Sequence, residues 1–323
     1  LARQNRLDEE AGAAQMYLAG IYLMVPDKDK ALSYATQASS LVSTLRNDSL
    51  KAESHNTYGQ VYMAKNENIM ALRNFLSALR IGENIKNAPL IRNCYLHLSS
   101  FYSDIDDYNK AIDYMMLAYK KIEEVKEKNV TYQKVVFINS IGNLFALKKN
   151  HDIAISYFER SIRMADSLKF STLKVPGYIS LLNEYLRTDE PQKALNYLNS
   201  PSGDNLKKYL SNFGMAPVID QAYGVIYTEL GRFDSARIYL EKARPMFENS
   251  TTGNNKVGFY AQLASFYKKS GDKKSAIDYY LKVKEISEQN GLLENVKKAS
   301  QYLDTLYTET GNTTLAGKYN ASY

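Results

Sequence analysis

The side chains able to do chemistry are few and scattered. Histidine occurs at three positions, His55, His97 and His151. No two of them stand four residues apart, the spacing that sets two imidazoles on one helix face for a metal. Cys94 is the single cysteine, so neither an internal disulfide nor a multi-cysteine metal site can form. The acidic pairs Asp106-Asp107 and Glu123-Glu124 are adjacent, and neighbours along a helix do not face each other. Glycoside hydrolysis would need two carboxylates across a cleft. There is no G-x-S-x-G elbow, no P-loop and no G-x-G-x-x-G. His151 reads as a solvated turn residue and Cys94 as an inert core thiol. The residues therefore point to no catalytic group, no cofactor and no metal, which leaves recognition. An active site assembled from distant helices stays open as the alternative from another class.

The composition narrows what could be recognised. Of 323 residues, 45% are hydrophobic and 24% charged, a balance that buries a continuous core. The net charge of +6 comes from 41 basic and 35 acidic residues, and the basic ones occur as pairs such as Lys148-Lys149, Lys207-Lys208 and Lys273-Lys274. A nucleic-acid face would gather them into a stripe, so no nucleic-acid partner is expected for this region. No run of 18 apolar residues occurs, so no membrane segment is expected either. Tyrosine is abundant, at 27 against 11 Phe and no Trp, which suits thin layers with the ring packed inward and the hydroxyl at an edge.

The elements that must position any binding residues show in a repeat. Asn56, Gly59 and Tyr62 are followed by Ala71; Asn139, Gly142 and Phe145 by Ala154; Gln221, Gly224 and Tyr227 by Ala236. The alanine recurs at Ala31, Ala71, Ala111, Ala154, Ala194, Ala236, Ala276 and Ala316, in steps of 40, 40, 43, 40, 42, 40 and 40. Nine residues before each stands an aromatic: Tyr22, Tyr62, Tyr102, Phe145, Tyr185, Tyr227, Tyr267 and Tyr307. Alanine marks the place where the second helix of a hairpin crosses the first, because a larger side chain would push the two apart. Asn66, Gly231, Gly271 and Gly311 share one position between the helices, and both types tolerate the left-handed conformation that closes a helix. The fifth hairpin is irregular: its second helix starts near Pro191 and breaks at Ser200, Pro201, Ser202 and Gly203, with a helical stretch over 205–213.

These residues resemble the tetratricopeptide repeat, whose signature combines Gly-x2-Tyr with a later Ala-x3-Phe. The family's Trp is absent throughout and its Pro slot is mostly empty; the Gly, Tyr and Ala slots carry the match. The period near 40 exceeds the usual 34, which implies longer helices. HEAT repeats share the period but lack the Gly-x2-Tyr…Ala phrase. The resemblance implies an all-α fold, a right-handed superhelical α-solenoid of about eight helical hairpins spanning residues 1–323 as one body. The last hairpin looks incomplete, and with a start at Leu1 the chain is expected to be a piece of a longer protein.

Family knowledge also implies where a ligand would lie. Such repeats line a concave groove with first-helix residues at −3, +1 and +4 from the Gly slot. Here those positions, with one neighbour, give Asn56, Gln60, Asn93, Ser100, Asn139, Asn143, Asn183 and Gln221 as candidate groove residues. Amides carry both donors and an acceptor and can hold the backbone of an extended peptide. A solvated inner face is the bland alternative. The groove slots hold one charge, Lys268, which disfavours the carboxylate grip of chaperone-docking repeats. The expected partner is a protein or peptide. Long Tyr- and Asn-rich arrays resemble sensor regions of bacterial membrane-bound regulators, which implies a signal-input role and favours a periplasmic or other extracytoplasmic location over the cytoplasm. A free-standing assembly scaffold and an intracellular peptide-pheromone receptor stay open beside it.

Overall fold

The computed structural model describes residues 2–25, 27–124, 130–168, 171–250 and 253–320. They are all-α: paired helices with two single 3-10 turns and, among the described residues, no strand. The helices cluster into two compact units, 1–181 and 182–323, with the boundary inside the helix Lys174–Arg187.

In the first unit the hairpins are Ala2–Met24 with Lys28–Ser43, Asp48–Ala64 with Asn68–Asn84, Ala88–Asp104 with Tyr108–Lys121, and Val130–Leu147 with His151–Ser167. Helix starts are capped by side chains that accept a backbone N–H from three residues on: Asp27 from Lys30, Asn47 from Leu50, Asn87 from Leu90 and Asp107 from Lys110. Helix ends close the other way. The Glu67 N–H reaches back to the Tyr62 carbonyl at 2.9 Å and the Asn66 N–H to the Met63 carbonyl at 3.0 Å, with Asn66 at φ 61°. Asp106 and Lys149 hold the same left-handed place in the next two hairpins.

The second unit repeats the scheme. The fifth hairpin's second helix is split into Pro191–Leu198 and Pro201–Asn212, with Ser200 capping the latter. Then come Ala216–Glu229 with Phe233–Glu248, Gly253–Lys269 with Lys273–Gln289, and Leu293–Glu309 with Thr313–Asn320. Asp189, Gly231, Gly271 and Gly311 close these hairpins at positive φ.

The repeat positions do what their size requires. Seven of the eight slot alanines, from Ala31 to Ala276, are fully buried, and Ala316 is 6% exposed. Opposite them the Gly slot admits no side chain. A Cβ on Gly59 or Gly142 would lie 2.4 or 2.6 Å from the ring of Phe75 or Phe158, and one on Gly224 would lie 2.6 Å from Leu240. In the third hairpin the slot is Ser99, which is buried and donates to the Ala111 carbonyl at 2.7 Å. The aromatic before each alanine stacks on a tyrosine twelve residues on. The pairs Tyr22–Tyr34, Tyr102–Tyr114, Phe145–Tyr157, Tyr227–Tyr239, Tyr267–Tyr279 and Tyr307–Tyr319 have centroids 5.3 to 5.6 Å apart. Tyr185–Tyr197 is wider at 6.4 Å. The second hairpin has Asn74 there instead, hydrogen-bonded to His55.

Candidate functional site

Close crossing of each hairpin sets the first helices side by side, and their polar side chains meet from one hairpin to the next. Gln60 donates to the His97 ring, 3.1 Å from Nδ1. Asn139 Nδ2 lies 3.5 Å from Ser180 Oγ, and Ser180 donates to Asn143 Oδ1 at 3.2 Å. In the second unit Gln221 donates to Gln262 at 2.7 Å. The bonds share a register: amides at −3 or +1 from the Gly slot reach the −2 position of the following first helix. Each such neutral bond contributes about 0.5–1.5 kcal/mol.

This ladder sorts the eight candidate residues. Asn56 and Asn139 are buried; the Asn56 amide meets the Cys94 sulfur at 3.5 Å, and Asn139 has a carbonyl oxygen with no partner. Gln60 and Gln221 are half-buried and bonded across hairpins, whereas Asn93, Ser100, Asn143 and Asn183 are exposed. Three of the eight converge. Asn56, Gln60 and Asn93 line a cavity of about 320 Å³ in the first unit, together with Met16, Tyr17, Glu53 and His97. Ser180 and Gln262 were not among the expected residues. Periodicity identifies a helix face, but it does not say which position of the next helix that face will meet.

The cavity is electrostatically quiet. Burial pushes the His97 imidazole down to about 4, so it is neutral at pH 7, stacked on Phe75 with centroids 5.5 Å apart. A neutral ring is also what the bond from Gln60 requires, since one ring nitrogen must accept. Beneath it burial raises the Cys94 thiol to about 11, as expected of an unreactive core cysteine. Glu53 at the lip has its carboxyl raised by partial burial. Among the described residues no group of three or more His, Cys, Asp or Glu could hold a metal ion, and no helix is long and apolar enough to cross a membrane. The arrangement offers amide donors, amide acceptors and an uncharged aromatic floor.

Comparison with known proteins bears on the same elements. The tetratricopeptide repeat family model matches residues 93–120, 221–243 and 257–290. No curated protein sequence is matched at a significant level. Among solved structures, the chain is similar to a signal-transduction ATPase with a tetratricopeptide repeat sensor from Pyrococcus horikoshii, at TM-score 0.65 and 16% identity over 98% of this chain. It spans about half of that protein, 46% of its length. It is also similar to aspartyl phosphate phosphatase F from Bacillus subtilis, at TM-score 0.65 and 18% identity, covering 91% of this chain and 73% of that one. A plasmid Rap conjugation gene regulator, solved with a Phr peptide, matches at TM-score 0.58 and 13% identity over 96% and 93% of the two chains. At these identities the likeness is one of fold. The chain carries tetratricopeptide repeats, matched over these three segments of its sequence.

Proposed function

We propose that this chain is a non-catalytic module that binds a peptide or protein segment on its first-helix face, and that it serves as the input region of a signalling or transcription regulator. One observation carries the binding reading: the amide-lined cavity of the first unit, with Gln60, Asn93 and the neutral His97 around it. Such a surface pairs with the N–H and C=O groups of an extended chain and places little demand on charge. The repeat fold is typically an interaction scaffold without catalysis. The fold likeness to a tetratricopeptide repeat sensor, and to a Rap regulator solved with a peptide, supports the input role.

The test begins with a displayed random-peptide library panned against the chain. A recovered peptide is then titrated against the wild type and an Asn93→Ala, Gln60→Ala double variant, at low and high salt. Two neutral hydrogen bonds correspond to about 1–3 kcal/mol, so affinity should fall on the order of tenfold or more. Salt should matter little. Equal affinity for the double variant would move the interface off this face, and collapse in salt would point to the lysine pairs instead.

A further inference from the structure

The second unit holds another cavity, of about 460 Å³, whose lining includes none of the ladder's amides. Three successive helices wall it: Gly258 and Ala261 from Gly253–Lys269, Tyr280 and Val283 from Lys273–Gln289, and Ala299 and Tyr302 from Leu293–Glu309. Its size falls within the range of small-molecule and side-chain pockets.

Two of these residues bear on what the cavity could hold. Gly258 lies inside a helix, where glycine is less favourable than alanine. At Gly59, Gly142 and Gly224 the neighbouring helix forbids a Cβ, but at Gly258 no atom lies within 4 Å of where one would stand. The missing side chain opens the cavity and serves no crossing. Tyr280 is the second case. Its side chain is 4% exposed and packs in the core with Ala276 and Leu303, while its hydroxyl is bonded to no other described residue and is not among the buried unpartnered atoms, which leaves it open to solvent or a ligand. Its ring is held firmly, stacked on Tyr302 at 4.8 Å and 19°, while Lys268 Nζ sits 5.0 Å from the centroid of Tyr302. Lys298, also on the lining, is paired with Glu294 at 3.3 Å.

We propose that this cavity binds an aromatic ring that carries a hydrogen-bonding polar atom, as in a tyrosine or tryptophan side chain of a peptide or the corresponding free phenol or indole. The ring enters over Gly258, packs between Ala261, Val283 and Ala299, and gives the Tyr280 hydroxyl its partner. The site stands on residues separate from the amide-lined face, so its failure would leave the proposed peptide face untouched, and the reverse.

Because the chain has no tryptophan, the indole emission of a tryptophan probe is free of protein background. N-acetyl-tryptophanamide is titrated into the full chain and into Gly258→Ala, Gly258→Leu and Tyr280→Phe variants. The wild type should bind saturably and Gly258→Leu should abolish binding. Tyr280→Phe should weaken it about three- to tenfold, the loss of one neutral hydrogen bond. Gly258→Ala gives the sharpest reading: its melting temperature should rise while its affinity falls, since helix propensity and cavity filling act in opposite directions. Should Gly258→Leu fail to fold, the alanine and phenylalanine variants decide the matter. Free indole, titrated by calorimetry because it emits in the probe's own band, separates the sources: affinity equal to that of the amide assigns the ring alone, and weaker affinity assigns a peptide-borne ring. Absence of saturable binding, equal displacement by N-acetyl-leucinamide, or wild-type affinity in both Gly258 variants would overturn the proposal.

Discussion

Gly59→Ala asks for a methyl group where the structure has no room. Its Cβ would lie 2.4, 2.5 and 2.8 Å from three ring atoms of Phe75. Phe75 is fully buried, edge-on to Phe101 at 6.2 Å and stacked on His97, so the ring cannot yield without moving the wall of the first cavity. Overpacking of this kind costs about 1–3 kcal/mol. The gain in helix propensity returns about 1 kcal/mol, so the net loss is about 0–2 kcal/mol. Gly20→Ala in the same unit is the matched control, because it too lies inside a helix but meets no atom within 4 Å. The propensity gain is common to both, and the difference between them, about 1–3 kcal/mol, reports the crossing alone. Repeat arrays open locally, so the assay is native-state hydrogen exchange of the amides in each altered hairpin. Adding Phe75→Leu to Gly59→Ala should recover part of the loss, a coupling that distant sites would not show. If Gly59→Ala is as well protected as Gly20→Ala, Gly59 does not mark a crossing and the repeat register drawn from it falls.

Ala111→Leu or Ala236→Leu should each lower the melting midpoint through a loss of about 1–3 kcal/mol, because both alanines are fully buried; an unchanged midpoint would contradict the crossing. His97 titrates near 4 in the folded chain and near its ordinary 6.5 once unfolded, so the unfolded state binds more protons between those values. Its contribution is therefore intact above about 6.5 and is lost as pH falls toward 4, by roughly 3 kcal/mol in all; denaturant midpoints of His97→Gln across that window should be flatter than those of the wild type. Lys149 sits at φ 63° where the last three hairpins have glycine, and Lys149→Gly should stabilise the fourth hairpin by about 0.5–1 kcal/mol in the same exchange assay.

The residues most legible in the sequence were those whose size is forced. Small side chains at crossings have few substitutes, so Ala31 to Ala316 and the three slot glycines mark the hairpins in the sequence itself. The turns were half legible: Asn66, Gly231, Gly271 and Gly311 announce a left-handed residue, whereas Asp106, Lys149 and Asp189 adopt it without the residue type that signals it. In those three the closing bonds of the helix end outweigh intrinsic preference. The first-helix face was legible as polar but not as sorted. Asn56 and Asn139 occupy the same nominal stripe as Asn143, yet the neighbouring first helix covers them, and burial of that kind depends on how two helices are offset. Tyr280 and Gly258 were illegible for a related reason: one reads as repeat core and the other as an ordinary glycine, until the space beside them is known.

The closing turn has a consequence for how such a chain can change length. In seven hairpins the left-handed residue stands five positions before the slot alanine and four after the aromatic, without exception. The two long steps, 43 residues from Ala111 to Ala154 and 42 from Ala194 to Ala236, place their extra residues between one alanine and the next aromatic, outside that segment. Insertions and deletions during descent would be absorbed between one slot alanine and the next aromatic and rejected between an aromatic and its own alanine. An epitope tag or a protease site is best introduced in the former stretches, and one residue added between Tyr227 and Ala236 should do more harm than several added between Ala194 and Tyr227.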